Sequence, residues 1–399
     1  MQHVADAVDP RALAGHGRHA EALRAWVGAL AAAEIAPYAA RVDASRYFPL
    51  EAYDALRAAG LHAPYLPTGL GGAGFGESAT CAVVEELARV CGSTALIPAV
   101  NLIGAAPLLL AGDAALKRAY LEPVAAGTAL ITGAMFEDAG ESEEVGCRAV
   151  RGADGRWRLF GAKPRVANAG VAHFYTVLAT TDPQAGPEHG LSVFVLEDGD
   201  RGFEQGERLA QRGVTGIPSR RLLFHGVELG PERLVGAVGD GLRIARRTRE
   251  YGRLVLGAHA VGTAQGALDG AGGGSGRADG ADRADGIDAA EGTRTADRVD
   301  GSDGAGAQLR RELVARARGA VAEAAAALES ADPDSGALAV RARGRACSAA
   351  TRVTREVLAA LAPDAAAARA TLERLRRDAC AVAWPAVAEL ERQGTDLAA

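Results

Sequence analysis

The sequence predicts an α+β protein of three consecutive regions: an N-terminal α-helical domain over residues 1–128, an antiparallel β domain over 129–236, and a C-terminal helical bundle over 237–399. Three observations predict it. In the first and last thirds, apolar residues recur at three- and four-residue steps, the signature of helices with one buried face. Between them lie short apolar runs bounded by Gly, Asp or Pro, which read as strands. The bundle is interrupted at residues 269–307, a stretch rich in Gly, Asp and Arg with almost nothing apolar.

Residues 21–35 and 49–59 carry helical periodicity. Residues 78–90 repeat it, with Ser78 suited to the N-cap and Gly92 to a stop. Residues 95–110 are nearly all apolar and predict a buried helix, with Pro98 in its first turn and Pro107 kinking or ending it. Strands are expected at 129–135, 156–160, 174–179, 191–196 and 221–224, with Asp154-Gly155 as a hairpin turn. Helices are expected again at 242–268, 309–328, 337–361 and 366–391. The segment 269–307 cannot bury enough surface to offset its ordering entropy and predicts a disordered loop. A calcium-binding Gly-Asp repeat would need a fixed period and a regular apolar position, and the segment has neither.

The chain has 399 residues and a net charge of −6, so no basic excess exists to attract nucleic acid or an anionic membrane. Lys occurs only at Lys117 and Lys163, and the Arg-, Ala- and Gly-rich usage suggests a high-GC bacterial genome. Cys81, Cys91, Cys147, Cys347 and Cys380 form no C-x-x-C pair, which argues against a zinc site or a disulfide framework and fits a reducing cytoplasm. The first 15 residues lack a signal-peptide pattern, and no segment is expected to reach membrane-spanning length. His16 and His19 lack a third ligand nearby, so no metal site is expected. Gly69-Leu-Gly-Gly-Ala-Gly74 fits G-x-G-x-x-G, but helical flanks favour a plain glycine turn over a dinucleotide fingerprint.

Several segments carry a resemblance in a fixed order. Leu66-Pro-Thr-Gly-Leu-Gly-Gly-Ala-Gly-Phe75, Val84-Glu-Glu-Leu-Ala-Arg89 and Ser93-Thr-Ala-Leu come first. Lys117-Arg-Ala-Tyr-Leu-Glu-Pro-Val-Ala-Ala-Gly127, Gly133-Ala-Met-Phe-Glu-Asp-Ala-Gly-Glu-Ser142 and Gly161-Ala-Lys-Pro-Arg-Val-Ala-Asn-Ala-Gly170 follow, and the run from Val227 to Gly241 closes the set. Together they resemble the acyl-CoA dehydrogenase family, clearly from about residue 20 to 267 and weakly to 378. The resemblance implies FAD as cofactor and an acyl-CoA or acyl-carrier-protein thioester as substrate. It also implies assembly into a homo- or hetero-oligomer.

In that family a carboxylate takes the α proton of the thioester while the flavin accepts hydride from the β carbon. The α proton is only weakly acidic, so a positioned base is needed. The resemblance places flavin contacts at Met135, Phe136, Ser142, Arg165, Val166 and Ala167, with Asn168 keeping the Asn of the second segment. Phe136 stands where Thr is usual, Arg165 where Trp is usual and Ala167 where Thr is usual. The usual base is a Glu eight residues after the Asp of an R-D-A motif. Arg377-Asp378-Ala379 matches that motif, and eight residues on stands Ala386. Glu389 lies one turn further if Pro385 opens the helix. Other members carry the base just before an Arg that matches Arg253, where this chain has Gly252; Glu250 is the nearest carboxylate. The family's R-x-x-F-G motif has no counterpart, residues 269–307 stand in its place, and Gln308 matches a Gln that follows it. The resemblance therefore implies an oxidoreductase with impaired or unusual catalysis. The alternatives are a non-catalytic partner subunit of a heteromer and a flavin reaction other than desaturation.

Overall fold

The computed structural model describes residues 18–135, 145–272, 302–361 and 366–392. Helices come first: α1 (Arg18–Leu30), α2 (Ala36–Ser45), α3 (Leu50–Ala58), α4 (Glu77–Ala88), α5 (Gly92–Ala111) and α6 (Ala114–Ala125). One π-helical turn, Ala31–Ile35, joins α1 to α2, so the first helix runs ten residues beyond the 21–35 segment that periodicity marked. Arg46, in the left-handed conformation at φ 60°, ends it.

The strands follow: β1 (Ile131–Ala134), β2 (Arg148–Arg151), β3 (Trp157–Ala167), β4 (Phe174–Thr180), β5 (Leu191–Glu197), β6 (Phe203–Arg208), β7 (Ser219–Leu229) and β8 (Leu234–Val235). A short helix, α7 (Gly186–Gly190), sits between β4 and β5. The sheet order is β6-β7-β3-β2-β4-β5-β8, and β1 pairs with residues 174–177 of β4, on the edge that β2 meets at Thr180 and opposite β5. Most pairings are antiparallel, as expected, but β1 and β2 both run parallel to β4. Residues 175–179 of β4 and 191–196 of β5 are buried throughout, because this part of the sheet is covered on both faces.

The last region holds α8 (Gly241–Gly272), α9 (Ser302–Glu329), α10 (Ser335–Ala360) and α11 (Ala366–Arg392). α10 packs against the other three, and α8 also packs on α4 and α5, which joins the first helical region to the bundle. Residues 269–272 continue α8 and 302–307 open α9, so helix extends into the predicted loop at both ends. One reason is long-range: Arg89 at the end of α4 reaches Asp269 at 2.7 Å. Residues 273–301 lie outside the described residues.

Two glycine readings change with tertiary contacts. Gly92 is no stop but the first residue of α5, so Pro98 and Pro107 both lie inside that helix. A Cβ at Gly92 would meet the Asp378 carboxylate at 2.7 Å, so its smallness serves close packing. Gly71 and Gly74 take positive φ in a turn closed by the Gly74 N–H on the Leu66 carbonyl, and among the described residues no strand precedes them. The dinucleotide reading is thereby set aside.

α5 corrects a second expectation. At 20 residues and a mean hydropathy of 1.9 it is long and apolar enough to cross a membrane. Most of it, 78%, is buried within the protein, so a core helix explains its composition.

Candidate active site

The expected flavin-facing segments meet where β1 and the end of β3 approach α5 and α8. Gly104 of α5 lets its helix lie directly on the backbone of Thr132, since a Cβ there would sit 2.6 Å from the Thr132 nitrogen. The Asn101 side chain accepts the Ile131 N–H at 3.2 Å and donates to the His62 carbonyl at 3.1 Å. The Thr132 hydroxyl donates to the Ala167 carbonyl at 2.7 Å, tying β1 to the end of β3. Lys163, fully buried on β3, donates to the Met135 carbonyl at 3.3 Å. These bonds give the two segments one fixed separation.

Of the expected cofactor residues, Met135 and Val166 are buried, Ala167 is half-buried and Arg165 is exposed. Phe136 and Ser142 lie outside the described residues. Pro164 and Arg165 oppose a single residue of β7, a bulge that re-registers the strand before Val166 pairs with Arg220 and Ala167 with Ser219. Asn168 turns the chain at φ 58° with no exposed surface. Its side-chain oxygen and nitrogen are both buried without a partner. Buried amides are nearly always bonded, so an unmet donor and acceptor beside Ala167 fit a polar ligand there.

The two base positions separate. Gly252 is buried on α8, and a Cβ there would lie 3.5 Å from Ile103 of α5, ordinary contact. Ile103 also packs against Gly133 of β1, so a side chain at 252 would extend toward the β1 segment. Glu250 does not share that direction. It pairs with Arg247 at 2.6 Å and lies against Gly336 of α10. Arg247 in turn donates to the Leu328 carbonyl and the Ser335 hydroxyl, so Glu250 helps join α8 to the α9–α10 connection. Ala386 and Glu389 fall within α11, which runs through Pro385 rather than starting at it. Their side chains lie outside the described residues. Gln308 is exposed on α9 and donates to Glu312.

The Arg377-Asp378 pair holds α11 in place. Asp378 accepts the Val214 N–H at 2.7 Å, Arg377 pairs with Asp43 of α2, and Arg374 donates to the Val90 carbonyl at 2.8 Å. His259 of α8 donates to the Gly92 carbonyl at 3.0 Å from the same corner. Burial pushes the Asp378 carboxyl up to about 6 and the His259 imidazole down to about 4. The signs oppose. His259 contributes stability that is complete above 6.5 and is lost as pH falls toward 4, by about 3 kcal/mol. Asp378, protonated more readily when folded, contributes stability below 3.8 that is lost as pH rises toward 6, also by about 3 kcal/mol. Unfolding followed by denaturant at pH 4 and 6.5 is expected to show little net change in the wild type from this pair. Asp378→Asn is expected to unmask the acid loss, and a flat profile in that variant would refute the assignment.

With this geometry in place, the family is decided by two matches. Residues 18–128 match the acyl-CoA dehydrogenase N-terminal domain, and residues 137–227 match the acyl-CoA dehydrogenase middle domain. The chain belongs to the acyl-CoA dehydrogenase family. A probable acyl-CoA dehydrogenase, FadE25 of Mycobacterium tuberculosis (strain ATCC 25618 / H37Rv), is 41% identical over 250 residues. That alignment covers 62% of this chain and 64% of the relative. The cyclohex-1-ene-1-carbonyl-CoA dehydrogenase of Geobacter metallireducens is 37% identical over 243 residues, 60% of this chain and 63% of that protein. The chain thus spans less than two thirds of the length of these relatives. A glutaryl-CoA dehydrogenase solved with glutaryl-CoA aligns at TM-score 0.80 and 25% identity over 96% of this chain and 97% of that one. The butyryl-CoA dehydrogenase of Megasphaera elsdenii aligns at 0.79 and 24% identity over 92% and 94%, a likeness of fold.

The sequence reading missed Thr132, Lys163 and the Asn101 bridge, which build the site without lying in the flavin-facing positions. The signal for Thr132 was present as a lone hydroxyl in an apolar strand.

Proposed function

We propose that this chain is an FAD-dependent acyl-thioester oxidoreductase that lacks the family's own proton-abstracting carboxylate. The observation that carries the reading is the Asn168 amide, buried and unpartnered at the end of the segment that resembles the family's flavin contacts. FAD, when bound, supplies hydride acceptance. The chain's own part is to fix the cofactor's edge between Met135 and Ala167, to exclude water with α5 and α8, and to hold the acyl group near Ile103 and Gly252. Neither Gly252 nor Ala386 can take a proton, so the α proton has no acceptor at either family position. The free cysteines fit work in a reducing cytoplasm, and assembly into an oligomer follows the family reading.

The test is the absorption spectrum of the full chain purified alone. A bound-flavin band is expected, and Asn168→Leu is expected to weaken flavin retention while leaving the far-ultraviolet circular dichroism unchanged. A wild-type chain that takes up no added FAD would sink the proposal. The partner-subunit reading would then gain, because loss of both base positions and of the R-x-x-F-G motif fits a chain that leaves chemistry to a neighbour. Co-purification from the native host would have to recover a second, intact family member.

A further inference from the structure

A pocket of about 250 Å³ opens beside the crossing of α5 and α8. Its walls include Tyr65 and Phe75 from the glycine turn, Leu102 from α5, and Tyr251, Leu254 and Val255 from α8. It is not the space beside Gly252. Successive helical residues turn by about 100°, so the three α8 residues lie roughly 60–160° round the helix from Gly252, all to one side. By the same measure Leu102 and Leu109 lie roughly 100–120° round α5 from Ile103. The pocket takes its remaining wall from Glu77 and Thr80 of α4.

The glycine turn builds one side of it. The Phe75 N–H donates to the Pro64 carbonyl and the Gly74 N–H to the Leu66 carbonyl, both at 2.9 Å, which clamps the ends of the turn and keeps Tyr65 close to Phe75. Phe75, Leu102, Leu254 and Val255 are buried, so the pocket is cut into core rather than loop. Two hydroxyls in its lining have no partner. Thr80 is 1% exposed and its Oγ1 makes no hydrogen bond, and the Tyr65 hydroxyl is likewise buried and unbonded. Burial pushes the Tyr65 phenol well above its ordinary value, so it stays neutral. Buried hydroxyls are nearly always bonded, and a ligand hydroxyl, which both donates and accepts, satisfies such a pair.

Charge and shape narrow the ligand. Glu77 is half-buried, burial raises its pKa, and it accepts a hydrogen bond from Tyr251. Its carboxyl opposes an anion, and with Tyr251 already bonded to it an ammonium gains little for the hydration it loses. A neutral ligand fits best. Tyr65, Phe75 and Tyr251 favour an aromatic ring. A dry core cavity of about 150 Å³ accepts benzene, so this larger one has room for a single ring with a hydroxyl and a short alkyl group. We propose that the pocket binds a single-ring phenol, its hydroxyl bonded to Tyr65 and Thr80 and its ring against Phe75 and Leu254. The proposal does not rest on the thioester reading, since the site lies apart from Gly252 and Ile103.

The probe is 4-ethylphenol, titrated into the full chain by calorimetry. Saturable binding with a dissociation constant below about 1 mM is expected. Thr80→Val together with Tyr65→Phe keeps the shape of the pocket and removes both hydroxyls. That variant is expected to bind 4-ethylphenol about tenfold or more weakly, and ethylbenzene at least as tightly as the unsubstituted chain does. Thr80→Val alone is expected to weaken 4-ethylphenol about threefold, and carries the test if the double variant does not fold. Excess octanoyl-CoA is expected to leave bound 4-ethylphenol in place. Three results overturn the proposal: no saturable binding up to about 5 mM, undiminished binding of 4-ethylphenol by the folded hydroxyl-free variant, or displacement by octanoyl-CoA, which would merge the pocket with the thioester site.

Discussion

Gly252→Glu is expected to raise acyl-thioester oxidation by the flavin-loaded chain by roughly 10²–10⁴-fold, the usual worth of general acid–base catalysis. The position is buried on α8, where a Cβ would make ordinary contact with Ile103, and it points to the β1 segment. A carboxylate in that low-dielectric setting holds its proton more tightly than in water, which suits a base working near neutral pH. Gly252→Ala is the control: it adds no base and should stabilise α8 by about 1 kcal/mol through helix propensity, with no gain in rate. Ala386→Glu tests the other family position, on α11. The readout is turnover of an acyl-CoA with an artificial electron acceptor. An unsubstituted chain running at a rate that neither added carboxylate improves, with Glu389→Gln and Glu250→Gln both harmless, would show that the base lies elsewhere.

Gly262→Ala should do the opposite of Gly252→Ala on the same helix. α8 crosses α4 in backbone contact: a Cβ at Gly262 would lie 2.1 Å from the Glu85 carbonyl oxygen, and one at Gly266 would lie 2.2 Å from that of Arg89. The atoms met are main chain, so no side chain can turn aside. Separating the helices would also strain the ion pairs at this crossing. Glu85, nearly buried, is held by Arg24 at 2.8 Å and Arg318 at 2.6 Å, and Glu86 by Arg89 at 2.7 Å. Overpacking of this kind costs about 3 kcal/mol or more, which outweighs the gain in propensity. For a chain of this length that lowers the thermal midpoint by about 4 °C if it unfolds as one unit, and calorimetry would measure it. A midpoint equal to that of Gly252→Ala would show that the crossing can open without penalty.

The contrast between Gly252 and Gly262 marks the limit of reading from sequence. Both are glycines ten residues apart in one helical pattern, and composition treats them alike. What the sequence by itself determined was local: the switch from helical to strand periodicity, the Asp154-Gly155 hairpin turn between β2 and β3, the glycine turn at 66–75, and the ordered set of family segments. These follow from burial of one face or both along a short stretch, which repeats within a few residues. Tertiary structure alone decided the rest. It made Gly92 a packing point instead of a stop, kept Asp269 in α8 through Arg89, turned Glu250 toward Arg247, and set Arg208 near the like charge of Arg220. Each of those outcomes depends on which backbone or charge arrives from a distant part of the chain, and neither a residue's type nor its spacing from its neighbours carries that information.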